Sequence, residues 1–184
     1  MLSKARIQLA FLAITLAPQI ACAQKPLGEG AITEALIRRH VNVIADDSML
    51  GRNTPSRGLD MTAKYVATQF NRLGLKPGGD SGTFIQRYPI AGGGRGTQPA
   101  SLGFDPTSAP NSVGILVGTD PKLRDEYIVV SAHMDHVGVN GANVKDSIWN
   151  GADDDASGTA GVLALAEAFS QTPPKSSMIL LRVC

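Results

Sequence analysis

A run of six residues, Tyr127 to Ala132, constrains the fold more than any other part of this sequence. The run reads Tyr-Ile-Val-Val-Ser-Ala and is apolar on both faces, as is typical of a central strand covered on both sides. A helical stripe follows, formed by Val162, Leu165, Ala166 and Phe169. Pro173-Pro174 ends that helix, and a further strand begins at Met178. Alternating strands and helices predict an α/β fold with a largely parallel sheet.

The first half of the chain predicts two helices and two strands. Apolar residues recur at helical spacing over 32–45 and over 60–73, and Gly74 suits the end of the second helix. The segments 84–90 and 113–117 read as strands. The glycine cluster at 92–96 is interpreted as a flexible loop, because no helix pattern follows it to complete a phosphate site. With no internal repeat or long linker, one domain is expected.

The amino terminus reads as a signal peptide spanning residues 1–23. Lys4 and Arg6 precede a short apolar run, and Ala21-Cys22-Ala23 supplies the small residues that signal peptidase requires. The apolar run is shorter than the roughly 20 residues of a membrane-spanning helix. Lipid attachment at Cys22 is the less favoured alternative. The sequence therefore predicts an exported protein, periplasmic or extracellular.

Charge and cysteine content exclude several kinds of site. The net charge of the 184 residues is +1, so no nucleic-acid partner is expected. Removal of the signal peptide takes Cys22 with it and leaves Cys184. A disulfide framework and a cysteine-based zinc site are therefore not expected. The oligomeric state is left open.

A histidine and an aspartate follow the apolar strand. Residues two apart on a strand face the same side, so His133 and Asp135 can share one site at the carboxyl end of the sheet. A carboxylate that accepts one imidazole N–H orients the other nitrogen toward a metal. The alternative is a surface histidine with an acid nearby. His136 is interpreted as a neighbour pointing away, and His40 as a surface or boundary histidine.

Three consecutive carboxylates precede the third helix. Asp153, Asp154 and Asp155 repel one another unless a charge compensates them, and a divalent cation does so. Zinc accepts histidine nitrogen and carboxylate oxygen, and one carboxylate can bridge two metals. The alternative interpretation is a helix start capped by Asp155 or Ser157. Both can hold for different residues of the segment.

Taken together, the segments 129–136 (VVSAHMDH) and 150–161 (NGADDDASGTAG) resemble the co-catalytic zinc exopeptidases of metallopeptidase family twenty-eight. The segments 73–77 (LGLKP) and 83–86 (TFIQ) add to the resemblance. It implies a three-layer α/β sandwich with a mixed, largely parallel central sheet, two Zn²⁺ ions and a peptide substrate cleaved at one end.

The resemblance also implies a role for individual residues. His133 is expected to bind one zinc, Asp154 to bridge both zincs, and Asp135 to orient His133. The peptide bond between Asp154 and Asp155 is expected to be cis.

The resemblance implies further residues beyond those present. A Glu-Glu pair, supplying the general base and a zinc ligand, is expected after the strand that begins at Met178, followed by another aspartate and a histidine. The sequence reaches Cys184 first, and Arg182 places a charge in that strand. Residues 24–184 are therefore expected to be the N-terminal part of a zinc peptidase domain, truncated or frameshifted near Leu181 and inactive alone. The alternatives are a non-catalytic fragment, acting as a binding module or without function, and a related amide hydrolase.

Overall fold

The computed structural model describes residues 28–90, 104–140 and 145–184. The predicted signal peptide and the glycine cluster at 92–96 lie outside these ranges. The helices are α1 (Glu34–Ile44), α2 (Arg57–Arg72) and α3 (Gly158–Gln171). The strands are β1 (Lys76–Pro77), β2 (Ile85–Pro89), β3 (Ser108–Leu116), β4 (Tyr127–His133), β5 (Gly138–Val139), β6 (Ile148–Trp149) and β7 (Ser177–Val183). No helix in the described ranges has both the length and the apolar character needed to cross a membrane.

The main sheet is mixed, as predicted. Its strands lie in the order β1-β3-β7-β4, and β2 also pairs with β3. The pairing of β4 with β7 is parallel, and β7, β1 and β2 each pair with β3 in antiparallel fashion. Parallel pairing in the described part of the chain is thus limited to the two strands that flank the candidate site. A two-stranded hairpin of β5 and β6 stands apart from this sheet.

Helices α2 and α3 pack on one face of the sheet. Side chains of that face and of the two helices form the main core; its buried members from this interface include Val66, Phe70, Leu116, Val162, Leu163, Met178 and Leu180. Strand β3 and helix α2 approach each other closely at Gly114, where a Cβ would lie 2.6 Å from Leu75 and 2.8 Å from Phe70. Because Gly114 has no side chain, α2 can pack directly on the sheet at this position.

The interpretation of Tyr127–Ala132 as a central strand is wrong for the described residues. Strand β4 lies at the edge of the sheet, next to β7 alone. Tyr127, Ile128 and Val129 are more than half exposed. The apolar run was correctly identified as a strand, but its composition does not reveal which strand lies beside it.

The predicted first helix is present, and its buried face includes a histidine. Thr33 caps the helix by accepting a hydrogen bond from the Leu36 N–H, and Leu36, His40 and Ile44 are its buried residues. His40 is therefore not a surface or boundary residue, since it is 1% exposed. Its Nδ1 lies 2.7 Å from Tyr65 Oη, so the buried imidazole has a polar partner on α2.

The second helix ends as the sequence predicts. Gly74 adopts a φ of 75°, which L-residues rarely tolerate, and its N–H donates to the Asn71 carbonyl. The Leu75 N–H reaches back to the Phe70 carbonyl at 3.1 Å. This reversal directs the chain into β1 and buries Leu75 beneath β3.

Candidate metal centre

His133 occupies the last position of β4, where the sheet ends. It pairs with Val183 of β7, and the N–H of the next residue, Met134, donates to the Val183 carbonyl at 2.9 Å. The strand pairing thus fixes the backbone position of His133. After Met134 the chain leaves the sheet.

Asp135 lies behind the imidazole, as the sequence predicts. His133 Nδ1 is 3.3 Å from Asp135 Oδ1 and 3.2 Å from the Asp135 carbonyl oxygen. Thr54 Oγ1 donates to the other carboxylate oxygen, Oδ2, at 2.8 Å. Each oxygen of Asp135 therefore has a partner, and the carboxylate is held where it can orient the ring.

Asp154 lies on the opposite side of the same ring. Its Oδ1 is 2.9 Å from His133 Nε2, and Asp155 Oδ2 is 3.9 Å from the same nitrogen. The structure therefore brings together all three of the predicted site residues, His133, Asp135 and Asp154. Their roles toward a metal stay predictions.

His136 lies closer to the site than its spacing suggests. The expectation that it points away from His133 assumed an extended strand, but β4 ends at His133. His136 Nδ1 is 3.5 Å from Asp154 Oδ2, the oxygen that does not face His133. The Asp154 carboxylate therefore lies between two imidazoles.

The aspartate segment, Ala152–Ser157, forms a turn ahead of α3 whose backbone is not helical at Asp154 and Asp155. Gly151 begins it with a φ of 55°, and a Cβ there would lie 2.5 Å from the His136 ring. The Asp154-Asp155 peptide bond is cis, which confirms the expectation from the resemblance.

Asp155 Oδ1 accepts the Gly158 N–H at 2.8 Å, so Asp155 caps α3. Ser157 makes no capping bond, and it donates instead to the Asp153 carbonyl.

A buried arginine, Arg52, connects the two parts of the site, and the sequence analysis missed it. Its guanidinium donates to the carbonyls of Met134 at 2.8 Å, Asn150 at 2.6 Å and Gly151 at 2.9 Å. It also donates to the Ile44 carbonyl at 2.7 Å. Burial lowers the pKa of Arg52, and the nearby carboxylates of Asp135, Asp154 and Asp155 oppose that shift. Nothing in the local sequence distinguishes it from a surface arginine in a turn.

A second buried arginine, Arg182, supports the strand end from the helical side. Its Nη2 donates to the His133 carbonyl at 3.1 Å and also contacts Thr159 Oγ1, and Nη1 lies 3.4 Å from the Gly158 carbonyl. Burial lowers the pKa of Arg182 to about 9, with Asp155 opposing the shift. The charge that looked out of place in a strand thus has polar partners beside the site.

The donor atoms suit zinc, but their number is small. An imidazole nitrogen and a carboxylate oxygen are ordinary zinc ligands. Within the described residues, no group of three or more histidine, cysteine or acidic side chains is arranged to hold a metal ion. A catalytic zinc normally has three protein ligands. His133 and Asp154, which are 43% and 68% exposed, therefore form an open pair that further ligands would have to complete.

One family model matches part of the chain, over less than half of its length. The model of peptidase family M28 matches residues 111–184, which contain both motifs. No curated protein matches the chain in sequence.

Several solved structures share the fold. BSAP, a zinc aminopeptidase from Bacillus subtilis, superposes with a TM-score of 0.59 at 12% identity, covering 80% of this chain and 60% of its own. A leucine aminopeptidase precursor from Bacteroides thetaiotaomicron gives 0.51 at 18% identity, covering 86% and 48%. A glutaminyl cyclase from Fimbriiglobus ruber gives 0.54 at 15% identity, covering 80% and 44%.

These superpositions confirm the predicted α/β fold of the zinc exopeptidases. The chain spans between 44% and 60% of the length of these three structures. At 12–18% identity, the likeness establishes the fold alone.

Proposed function

Because the model of peptidase family M28 matches residues 111–184, we propose that the protein is a zinc-dependent exopeptidase of the aminopeptidase type. One observation supports this most strongly: His133 presents Nε2 to Asp154 at 2.9 Å, while Asp135 contacts Nδ1 of the same ring. In that arrangement an oriented imidazole lies next to a carboxylate oxygen that could bind the same ion. The fold shared with two aminopeptidases agrees with it.

Each of the three residues has a distinct part in this proposal. His133 and Asp154 would hold zinc, and Asp154 would be the ligand common to both ions of the expected pair. Asp135 would accept a hydrogen bond from the Nδ1–H of His133 and so would favour the tautomer that leaves Nε2 free. Bound zinc supplies Lewis-acid polarisation of a carbonyl and a water molecule of lowered pKa. The exposure of His133 and Asp154 leaves room for further ligands and for a peptide terminus.

The proposal extends to location. The segment 1–23 has the charged, apolar and small-residue regions of a signal peptide, which supports export to the periplasm or the exterior. A peptide substrate in that compartment agrees with an exopeptidase.

Zinc titration tests the proposal directly. We expect the chain to compete for Zn²⁺ with a chromophoric chelator, and His133→Gln and Asp154→Asn each to weaken binding at least about tenfold. Asp125→Asn, in an exposed turn remote from the pair, is the matched control and should bind as the parent does. Equal zinc affinity in all four proteins would rule out His133 and Asp154 as ligands.

An activity assay separates catalysis from binding. Zinc-dependent hydrolysis of an aminoacyl-nitroanilide, lost in His133→Gln, would establish that the chain is itself an exopeptidase. Zinc binding without hydrolysis would favour the non-catalytic binding module, and hydrolysis of other amides only would favour the related amide hydrolase.

A further inference from the structure

The backbone around Arg52 turns its side chain into the protein. Leu50, Gly51 and Arg52 have positive φ angles of 52°, 62° and 50°. Three consecutive residues in this left-handed region are uncommon outside glycine. Gly51 is needed here, because a Cβ would lie 2.3 Å from the Gly138 carbonyl oxygen. The tight turn therefore lies against the β5–β6 hairpin, and Arg52 is 0% exposed.

The four carbonyls that the guanidinium contacts belong to three separate segments. Met134 lies between His133 and Asp135, and Asn150 and Gly151 immediately precede the aspartate turn. Ile44 ends α1. The backbone of Arg52 contributes a further hydrogen bond, because its carbonyl accepts the His136 N–H at 3.1 Å. One residue thus binds the backbone of both segments that carry the candidate ligands.

The geometry of these bonds requires a guanidinium. Nε, Nη1 and Nη2 point in different directions and each has a carbonyl partner. A lysine ammonium is a single point on a flexible stem and cannot reach carbonyls on all sides at once. The charge itself is compensated at longer range by Asp135, Asp154 and Asp155. At this position the directions of the three donor nitrogens therefore matter more than the positive charge.

We propose that Arg52 is a positioning residue that fixes the His133–Asp135 segment relative to the Asp154 turn. This inference rests on the proposed function in one respect, namely that the two segments share a zinc ion. Arg52 touches neither predicted ligand side chain, and it acts through the backbone on both.

Amide hydrogen exchange in the metal-free Arg52→Lys chain tests the positioning itself. The reporters are the His136 N–H, which donates to Arg52, and the Ala156 N–H, which donates to Gly151 at 3.2 Å. We expect both to exchange about tenfold faster or more in Arg52→Lys, with Val66 in α2 unchanged. Arg72→Lys is the matched control, because Arg72 pairs with Glu167 away from the site. Unchanged exchange in folded Arg52→Lys would overturn the inference.

Zinc affinity is the second readout. We expect the zinc dissociation constant of Arg52→Lys to rise about 10- to 100-fold, the usual effect of disturbing ligand support, and that of Arg72→Lys to stay the same. Parent and Arg52→Lys chains that bind zinc equally would contradict the inference while leaving the proposed function standing. A parent chain that binds no zinc, with exchange accelerated in Arg52→Lys, would remove the proposed function and leave the positioning intact.

A second variant covers the case in which Arg52→Lys does not fold. Asn150 Nδ2 donates to the Ala45 carbonyl and to Asp47 Oδ1, each at 2.8 Å, so Asn150→Ala releases the turn from these contacts and leaves the Arg52 bonds in place. We expect the Ala156 N–H of this variant to exchange within threefold of the parent rate. A tenfold acceleration would mean that Asn150, and not Arg52, holds the turn.

Discussion

Thr54 donates a 2.8 Å hydrogen bond to Asp135 Oδ2, the carboxylate oxygen that does not face His133. Thr54 lies two residues after Arg52, so the same short turn supports the site through a side chain and through the backbone. The turn between α1 and α2 is therefore part of the candidate site, although it carries none of the predicted ligands.

Thr54→Val should destabilise the protein by about 1 kcal/mol, since it leaves one oxygen of a partly buried carboxylate without its partner. Urea unfolding at pH 7 measures the change. Thr68→Val is the control, because Thr68 Oγ1 donates to the Lys64 carbonyl on an exposed helix face, and it should change stability by less than about 0.5 kcal/mol. Equal effects of the two substitutions would show that the Thr54 hydroxyl has no special role.

Arg182→Met should leave stability within about 1 kcal/mol of the parent or raise it, although Arg182 is 0% exposed. Its Nε has no partner in the described part of the chain, and Thr159 Oγ1 still donates to the His133 carbonyl at 3.0 Å after the change. Arg52→Met should cost at least about 3 kcal/mol, because it leaves several buried carbonyls unpaired. Urea unfolding of both variants makes the comparison. A larger loss for Arg182→Met than for Arg52→Met would contradict this account.

Acid should destabilise the protein through His40. Burial, assisted by Arg39 and Arg72, lowers the pKa of His40 from 6.5 to about 4. Between these values the unfolded chain binds more protons than the folded chain, so stability falls as pH falls from 6.5 toward 4. His40→Gln should therefore lose up to about 3 kcal/mol less than the parent between pH 7 and pH 4. Urea unfolding at three pH values measures the stability of both proteins. If the stability of His40→Gln falls with pH as steeply as that of the parent, His40 does not have this role.

The Cys184 thiol should react slowly in the folded protein. Burial raises the pKa of Cys184 to about 11, and its Sγ lies 3.2 Å from the Pro110 carbonyl oxygen. With about a hundredfold less thiolate at pH 8, labelling by a disulfide reagent should be about a hundredfold slower in buffer than in urea. Where the signal peptide is retained, Cys22→Ser removes the other thiol from the assay. Labelling rates within threefold of each other in buffer and urea would contradict the prediction.

The residues of the two motifs could be predicted from the sequence because each lies within a short segment. His133 and Asp135 follow an apolar strand, and the aspartates directly precede a helix. The end of α2 at Gly74 could likewise be predicted, because a left-handed residue after a helix favours glycine.

Arg52 could not be predicted in the same way. Its contacts join residues separated by 82, 98 and 99 positions, and the turn that directs it inward depends on backbone angles at Leu50 and Gly51. The position of β4 at the sheet edge and the approach of His136 to Asp154 also depend on how distant segments pack. Periodicity in one segment carries no information about these contacts.

The parallel pairing of β4 with β7 has a consequence for how the protein is made on the ribosome. His133 is aligned with Val183, and the Met134 N–H donates to the Val183 carbonyl, so the strand that carries the imidazole is completed by residues synthesised long after it. At roughly 5–20 residues per second, β4 leaves the ribosome seconds before its neighbour. During that interval the side chains of β4 lack their neighbouring strand, and the His133 imidazole does not yet have its final position.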